Sequence, residues 1–220
     1  MSKQRSGQDI RLVIGVPSGG SVNTSFFLCL LQMILVLQNP IPGVRSILTR
    51  VHNTRGSILA RSRQGIIDAA IRNKATHVLF IDSDQTFPPS TFQQLFRRGK
   101  KVIAANVATK AIPAMPTARA KGEDFWGIPI QTKEGDIGCE QVWRIGTGIM
   151  LIDLSIFVGK EWPQPIFSQR WVEEIQDYSG EDWGFCEWLD SQNIPIFVDH
   201  ELSWQIGHIG ELEYTHLMVE

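Results

Sequence analysis

The sequence predicts a single α/β domain with a mixed central sheet and helices on both faces. Short apolar segments of strand length alternate with segments of helix length through residue 105, which is the order of a parallel sheet covered by helices. The chain has 220 residues, of which 43% are apolar and 20% charged, enough for one core of ordinary composition. Because no internal repeat or low-complexity linker divides it, we treat residues 1–220 as one domain.

Four strands and three helices are predicted in the first half of the chain. The strands are 11–16, 44–51, 77–81 and 101–105, and the runs 11–16 and 77–81 are apolar enough to be buried. The helices are 24–37, 57–72 and 91–98, with Asn23 or Thr24 capping the first and Ser90 the third. Helix 24–37 is largely apolar, so we expect it to be buried.

The second half of the chain is less periodic. Residues 111–141 are rich in Pro, Gly and charge, which predicts a long excursion over the site with a hairpin near Gly135. Strands are predicted at 141–145, 149–152 and 194–198, and an amphipathic helix at 181–192. Residues 163–180 are predicted to be rich in loops. The sheet is therefore expected to gain irregular strands after residue 105.

Composition and charge restrict the location and the partners of the protein. A formal net charge of -2 supplies no basic field for nonspecific binding of nucleic acid. Three widely spaced cysteines predict neither a zinc knuckle nor a disulfide framework, so a reducing, cytoplasmic location is expected. The longest apolar run, residues 26–37, would rise about 18 Å as a helix, against a bilayer core of about 30 Å. No transmembrane segment is expected.

Two carboxylates directly follow the buried strand 77–81. Asp82-Ser83-Asp84 occupies the carboxyl end of that strand, where open α/β sheets bind their ligands. Two negative charges at the rim of a core are costly unless a cation offsets them. Carboxylate oxygens suit Mg²⁺ or Mn²⁺, which also take phosphate oxygens as ligands. The triplet therefore predicts a divalent metal and a phosphate-bearing ligand.

Two further segments indicate anion binding, each with a simpler alternative. Residues 17–20, PSGG, follow the first strand and allow backbone N–H groups to approach a phosphate or a base. They lack GxGxxG and GKS/T spacing, so a simple turn is an equal explanation. Arg55, Arg61 and Arg63 lie near the start of a helix, where cations oppose the helix dipole. Solvated arginines are the alternative there.

Four segments in order resemble the nucleotide-sugar-dependent glycosyltransferases of the GT-A fold, of the family 2 type. They are Asp82-Ser83-Asp84, residues 146–152 (GTGIMLI), residues 180–186 (GEDWGFC) and residues 207–210 (GHIG). In that family the matching pieces are a DxD triplet, a glycine-flanked strand, an acidic pair on a helix and a late metal-binding histidine. The resemblance implies a Rossmann-like domain with a nucleotide-binding half, 1–105, and an acceptor-binding half, 106–220.

The resemblance also implies a role for individual residues. Asp84 and His208 would bind Mn²⁺ or Mg²⁺, and Asp82 would contact the metal or the ribose. Asp182, or its neighbour Glu181, would face the acceptor and take the proton from its hydroxyl. The residues expected to contact the donor are Pro17, Ser18, Arg63, Asp82, Ser83 and Lys110.

The expected enzyme is a hexosyltransferase-like protein that moves a sugar from a nucleotide-diphosphate sugar to an acceptor hydroxyl, by direct displacement with inversion. The sugar, the nucleotide, the oligomeric state and the acceptor stay open. A glycan, a small molecule, a protein or a modified base are all possible acceptors. Trp126 or Trp183 can stack on a sugar or a base.

Three alternatives compete with this interpretation. Residues 78–86, VLFIDSDQT, resemble the strand-DxDxT signature of haloacid-dehalogenase-like phosphohydrolases, in which Asp82 would be the nucleophile and Asp84 the acid/base. That signature normally opens its domain, whereas two strand–helix units precede it here. A nucleotidyltransferase and a non-catalytic nucleotide- or sugar-binding domain are the other two.

Overall fold

A seven-stranded mixed sheet forms the centre of the computed structural model, which describes residues 7–219. In spatial order its strands are β2 (Val44–Arg55), β1 (Gln8–Ser18), β3 (His77–Ile81), β9 (Ile149–Asp153), β5 (Val102–Ala104), β12 (Ile196–Asp199) and β8 (Cys139–Val142). The five strands β1, β2, β3, β5 and β12 run in one direction, and β9 and β8 run against them. The predicted α/β class and mixed sheet are confirmed.

Helices cover both faces of this sheet, as predicted. They are α1 (Thr24–Val36), α2 (Leu59–Arg72), α3 (Thr91–Arg97), α4 (Glu181–Ser191) and the short α5 (His200–Ser203), with 3-10 turns at Leu154–Phe157 and His216–Met218. Helices α1 and α3 pack with one side of β1, through Leu12 and Ile14. Helices α2 and α4 pack with the other side, through Val13. Alternate side chains of β1 thus enter two cores, which explains its unbroken apolar run.

Several predicted boundaries change because strands pair further than their apolar runs. Strands β1 and β2 stay in register to Pro17↔Thr54 and Ser18↔Arg55, so Pro17 and Ser18 belong to a strand rather than to the predicted turn. Helix α2 begins at Leu59, two residues later than predicted. Asn23 caps α1 through Ser25 N–H at 2.8 Å, as expected.

Two predictions about the helices need correction. Ser90 precedes α3 at the N-cap position, but its hydroxyl accepts a hydrogen bond from the Gln94 side chain at 2.7 Å instead of from the backbone. Helix α1 is only partly buried: Met33 faces the core, whereas Phe27 and Leu35 are exposed. A largely apolar helix therefore lies on the surface, with one face open. Among residues 7–219, no helix is long and apolar enough to cross a membrane.

The excursion between β5 and β9 does not pair where the sequence predicted. Its hairpin consists of β6 (Arg119–Ala120) and β7 (Ile128–Pro129), and Gly135 lies in a turn closed by Lys133 N–H on Asp136. The predicted strand 141–145 stops at Val142, because Trp143 and Arg144 bond to Arg119 instead. A second hairpin, β10 (Trp171–Val172) with β11 (Asp177–Tyr178), precedes α4.

A small three-stranded sheet brings the end of the chain to the acidic triplet. Its strands are β4 (Gln85–Thr86), β13 (Gly207–Ile209) and β14 (Glu213–Tyr214), in the order β14-β13-β4. His208 pairs with Gln85, and Ile209 N–H donates to the Asp84 carbonyl at 2.7 Å. These backbone hydrogen bonds place His208 beside Asp84, three residues after the end of β3.

Candidate functional site

A cleft lies at the carboxyl ends of β1 and β3, where the sequence predicted a ligand. It has a volume of about 330 Å³. Its lining residues are Pro17, Ser18, Gly19, Gly56, Ser57, Leu59, Asp82, Ser83 and Asp84. Of the residues predicted to contact a donor, Pro17, Ser18, Asp82 and Ser83 therefore share one cleft.

Asp84 lies at the open side of this cleft with two basic partners. Its Oδ2 is 2.5 Å from Lys110 Nζ and 3.5 Å from His208 Nε2. Burial raises the pKa of Asp84, but the basic side chains of His208 and Lys110 outweigh it and lower the pKa to about 2. Asp84 is therefore ionised at any physiological pH. Asp84, Lys110 and His208 therefore lie together, and we call them the Asp84 cluster.

The ring of His208 has a fixed orientation. Its Nδ1 is 2.9 Å from the Ala108 carbonyl oxygen. Because a carbonyl oxygen only accepts, Nδ1 carries the proton, and Nε2 points to Asp84. A histidine held through one nitrogen by a carbonyl, with the other nitrogen free to bind, is the usual arrangement of a metal ligand.

Asp82 faces the opposite way from Asp84, towards a buried arginine. Arg63 donates to both of its oxygens, at 3.0 and 2.8 Å, and to Glu181 as well. Burial raises the pKa of Asp82, and the Arg63 charge opposes that shift. Arg63 itself is only 3% exposed, so it joins α2, β3 and α4 from within. We call Arg63, Asp82 and Glu181 the Arg63 cluster.

The two acidic residues at the start of α4, Glu181 and Asp182, also have different partners. Glu181 is bound to Arg63, whereas the Asp182 carboxylate accepts the Trp183 N–H at 2.9 Å. Burial raises the pKa of Asp182 to about 6, and the Glu181 charge adds to the effect. Gly180 makes this position possible, because a side chain there would overlap the Asp182 carboxylate. Asp182 is thus the carboxylate whose protonation changes near neutral pH.

The donor atoms fit a divalent ion through two ligands rather than three. Asp84 Oδ2 and His208 Nε2 are 3.5 Å apart, a separation that two ligands of one ion, each at about 2.1 Å from it, can adopt with a small adjustment. Asp82 is turned to Arg63, and residues 7–219 contain no group of three or more His, Cys, Asp or Glu arranged for a metal. Phosphate oxygens and water would have to complete such a site.

The three arginines that the sequence placed near the start of a helix differ in their surroundings, and Arg55 is the last residue of β2. Arg55 and Arg61 are exposed and line a second cavity of about 470 Å³, which shares Gly56 and Ser57 with the first cleft. Arg63 lies inside. The sequence contained a signal for this difference, since Arg63 is spaced three, four and seven residues from Ile66, Ile67 and Ala70, all buried.

An aromatic group beyond Asp182 was only partly foreseen. The guanidinium carbon of Arg144 lies 4.7, 3.8 and 4.5 Å from the ring centroids of Phe125, Trp143 and Trp183. Trp126 contacts Trp183 at 5.6 Å between centroids. The composition suggested Trp126 and Trp183 as stacking residues, but no periodic pattern identified Arg144 as the residue that holds them.

The fold and the site define a class: an α/β domain with an acidic triplet at the carboxyl end of a central parallel strand. No family model matches the chain, and no curated protein matches it. Among solved structures, the crystal structure of A197 from STIV is similar, with a TM-score of 0.60 over 95% of this chain and 91% of that one, at 20% identity. At that identity the likeness shows a shared fold.

Proposed function

We propose that the protein is a metal-dependent glycosyltransferase that moves a sugar from a nucleotide-diphosphate sugar to an acceptor hydroxyl with inversion. The observation that carries the proposal is the pairing of Asp84 with the oriented Nε2 of His208 at the edge of the cleft. The resemblance in sequence order, from the triplet to the late histidine, supports the same assignment.

Residues from both halves of the chain would bind the donor and the metal. Asp84 and His208 would hold the metal, and Lys110, which contacts Asp84, is close enough to reach a diphosphate. The cleft beside Pro17 and Ser18, together with the cavity at Arg55 and Arg61, offers space for a nucleoside. A bound divalent ion would stabilise the negative charge that develops on the departing diphosphate.

Asp182 would take the proton from the acceptor hydroxyl. With a pKa of about 6, its carboxylate is ionised at pH 7 yet basic enough to accept a proton as the new bond forms. One base on the acceptor side is the arrangement for direct displacement, so inversion follows. Glu181 is less suited to this role, because Arg63 binds its carboxylate.

Calorimetric titration tests the donor side. Wild-type protein titrated with a panel of nucleoside diphosphates should bind at least one of them more tightly with Mn²⁺ than without it. Asp84→Ala and His208→Ala should weaken the metal-dependent binding at least tenfold, whereas Asp190→Ala, which removes an exposed carboxylate of α4, should not. Equal metal-dependent binding by wild type and Asp84→Ala would refute the proposal.

A transfer assay tests the acceptor side. Asp182→Asn should leave nucleotide and metal binding intact and lower the rate of sugar transfer by about 10²–10⁴-fold, the usual contribution of a positioned base. Transfer is measured as acceptor mass gained from each nucleotide sugar. Unchanged transfer in the variant would remove Asp182 from this role.

The phosphohydrolase alternative requires Asp82 to attack phosphorus. Both of its oxygens accept hydrogen bonds from Arg63, so it is poorly placed as a nucleophile, and we do not favour this function. Hydrolysis of p-nitrophenyl phosphate that is lost in Asp82→Asn would reverse that judgement.

A further inference from the structure

Two tryptophans form an exposed corner next to Asp182. Trp126 is 51% exposed, and Trp183, which directly follows Asp182 in α4, is partly exposed. Their ring centroids are 5.6 Å apart with 72° between the ring planes. We call these two residues the aromatic corner. An indole that stays half in water adds little to the core, so its placement suggests a ligand.

The aromatic corner is held in place from behind. Phe125 is buried and lies 5.5 Å from the Trp126 ring and 5.0 Å from the Trp183 ring. Arg144 donates to the Phe125 carbonyl and to Glu187, both at 2.8 Å, and its guanidinium faces the rings. Glu174 accepts the Phe125 N–H at 2.8 Å. A ligand would therefore meet rings that are already ordered, which lowers the entropic cost of binding.

We propose that the aromatic corner binds a sugar ring of a carbohydrate acceptor and directs one of its hydroxyls to Asp182. This inference rests on the proposed function for its catalytic meaning, since Asp182 is there the group that accepts the proton. The C–H faces of a pyranose are apolar and match the face of an indole, while its hydroxyls remain free for polar partners.

Charge around the aromatic corner favours a neutral ligand over a nucleic acid. Carboxylates adjoin it in sequence or in contact: Glu123, Asp124, Glu174 and Asp182. Arg144 and Arg170 are both paired with Glu187, whereas Arg119 interacts electrostatically with Asp124 and Lys121 is exposed close to Glu123 in the sequence. Exposed rings can also stack on bases, but the carboxylates outnumber these two cations, so the local charge still opposes the phosphates of a nucleic acid.

Binding of sugars without donor or metal tests the proposal. The probes are neutral tetrasaccharides of glucose, galactose, mannose or N-acetylglucosamine, followed by saturation-transfer NMR and calorimetry. We expect wild-type protein to bind at least one of them and Trp126→Ala to weaken that binding about tenfold, the loss of one stacked ring face. Trp126→Phe, which keeps a ring, should retain most of it.

Trp171→Ala is the matched control. Trp171 is 45% exposed and packs edge-on against Tyr178, so it is a second exposed tryptophan in an aromatic pair, and its ring has its contact with Tyr178 rather than with the aromatic corner. The Trp171→Ala variant should bind the tetrasaccharide as tightly as wild-type protein does. Because about half of Trp126 is exposed, its loss should change the melting temperature little, and weaker binding at an unchanged melting temperature would report on the ligand.

Three results would overturn the proposal. They are binding of none of the tetrasaccharides, equal binding by wild type and Trp126→Ala, and tighter binding of an octathymidylate that Trp126→Ala abolishes. The last would show that the corner stacks on bases. Asp190→Ala, which removes an exposed carboxylate of α4, should bind the tetrasaccharide normally, and no metal is present in these measurements. Failure of the aromatic corner thus leaves the nucleotide titrations intact, and failure of those titrations leaves the sugar site standing.

Discussion

Asp82 and Asp84 are one residue apart in the chain and lie in opposite surroundings. In the Arg63 cluster the side chains of Arg63, Glu181 and Asp82 are 3%, 11% and 23% exposed. In the Asp84 cluster the side chains of Asp84, Lys110 and His208 are 38%, 36% and 20% exposed. The pKa of Asp82 is raised by burial, and that of Asp84 is lowered by its basic partners.

The different surroundings of Asp82 and Asp84 indicate which of the two carboxylates can exchange its partners for a ligand. Arg63 satisfies both oxygens of Asp82 and one of Glu181, and breaking these bonds would leave buried charges unpaired. Lys110 and His208 hold Asp84 from the solvent side, where an ion or water can replace them at little cost. The Arg63 cluster therefore has the properties of a structural brace, and the Asp84 cluster those of a binding site.

The largest effect on stability is expected when the brace is broken. Arg63→Met leaves Asp82 and Glu181 without their cation and should lower the free energy of unfolding by about 3–5 kcal/mol. Urea denaturation followed by circular dichroism measures it. Arg61→Met, on the exposed side of the same helix, should change the free energy by less than about 0.5 kcal/mol. A loss below 1 kcal/mol in Arg63→Met would mean that the brace is not structural.

A smaller effect of opposite sign is expected at Asp182, beside the brace. Its pKa is raised in the folded state to about 6 from a usual value of 3.8, so the folded protein binds its proton more tightly than the unfolded chain does. The resulting stability is present below about pH 4 and is lost as the pH rises through about 6. Asp182→Asn should therefore raise the free energy of unfolding by about 1–3 kcal/mol at pH 8, relative to wild type, and by much less at pH 4. A difference that does not vary with pH would contradict the raised pKa.

The smallest effect is expected in the open cluster. Asp84→Asn removes a pair between side chains that are each about one third exposed, so the free energy of unfolding should change by less than about 1 kcal/mol. Lys110→Met should change the free energy of unfolding by a similarly small amount. Melting temperatures in buffer without metal or nucleotide measure both. A loss comparable to that in Arg63→Met would erase the distinction between the two clusters.

The sequence predicted the strands and helices well where apolar runs and caps mark them, as at β3 and at Asn23. It could not predict the two-residue strands β4 and β6, because elements that short carry no periodicity. The order of segments implied that Asp84 and His208 meet, but the backbone pairing that joins them was not visible. Asp82 was expected at a metal or a ribose. Its partner, Arg63, is a long-range neighbour that only the helical spacing with Ile66 and Ile67 hinted at.

Strand β9 has a consequence for how the chain reaches its native state. It lies between β3 and β5 and pairs with both, although it follows β5 by more than forty residues. During synthesis, the edges of β3 and β5 that pair with β9 therefore stay unpaired until residue 153 has left the ribosome. A fragment that ends at residue 105 would keep those edges open and associate with copies of itself. Synthesis to the end of β9 thus closes the gap between β3 and β5, and the other edge of β5 is covered only when β12 follows.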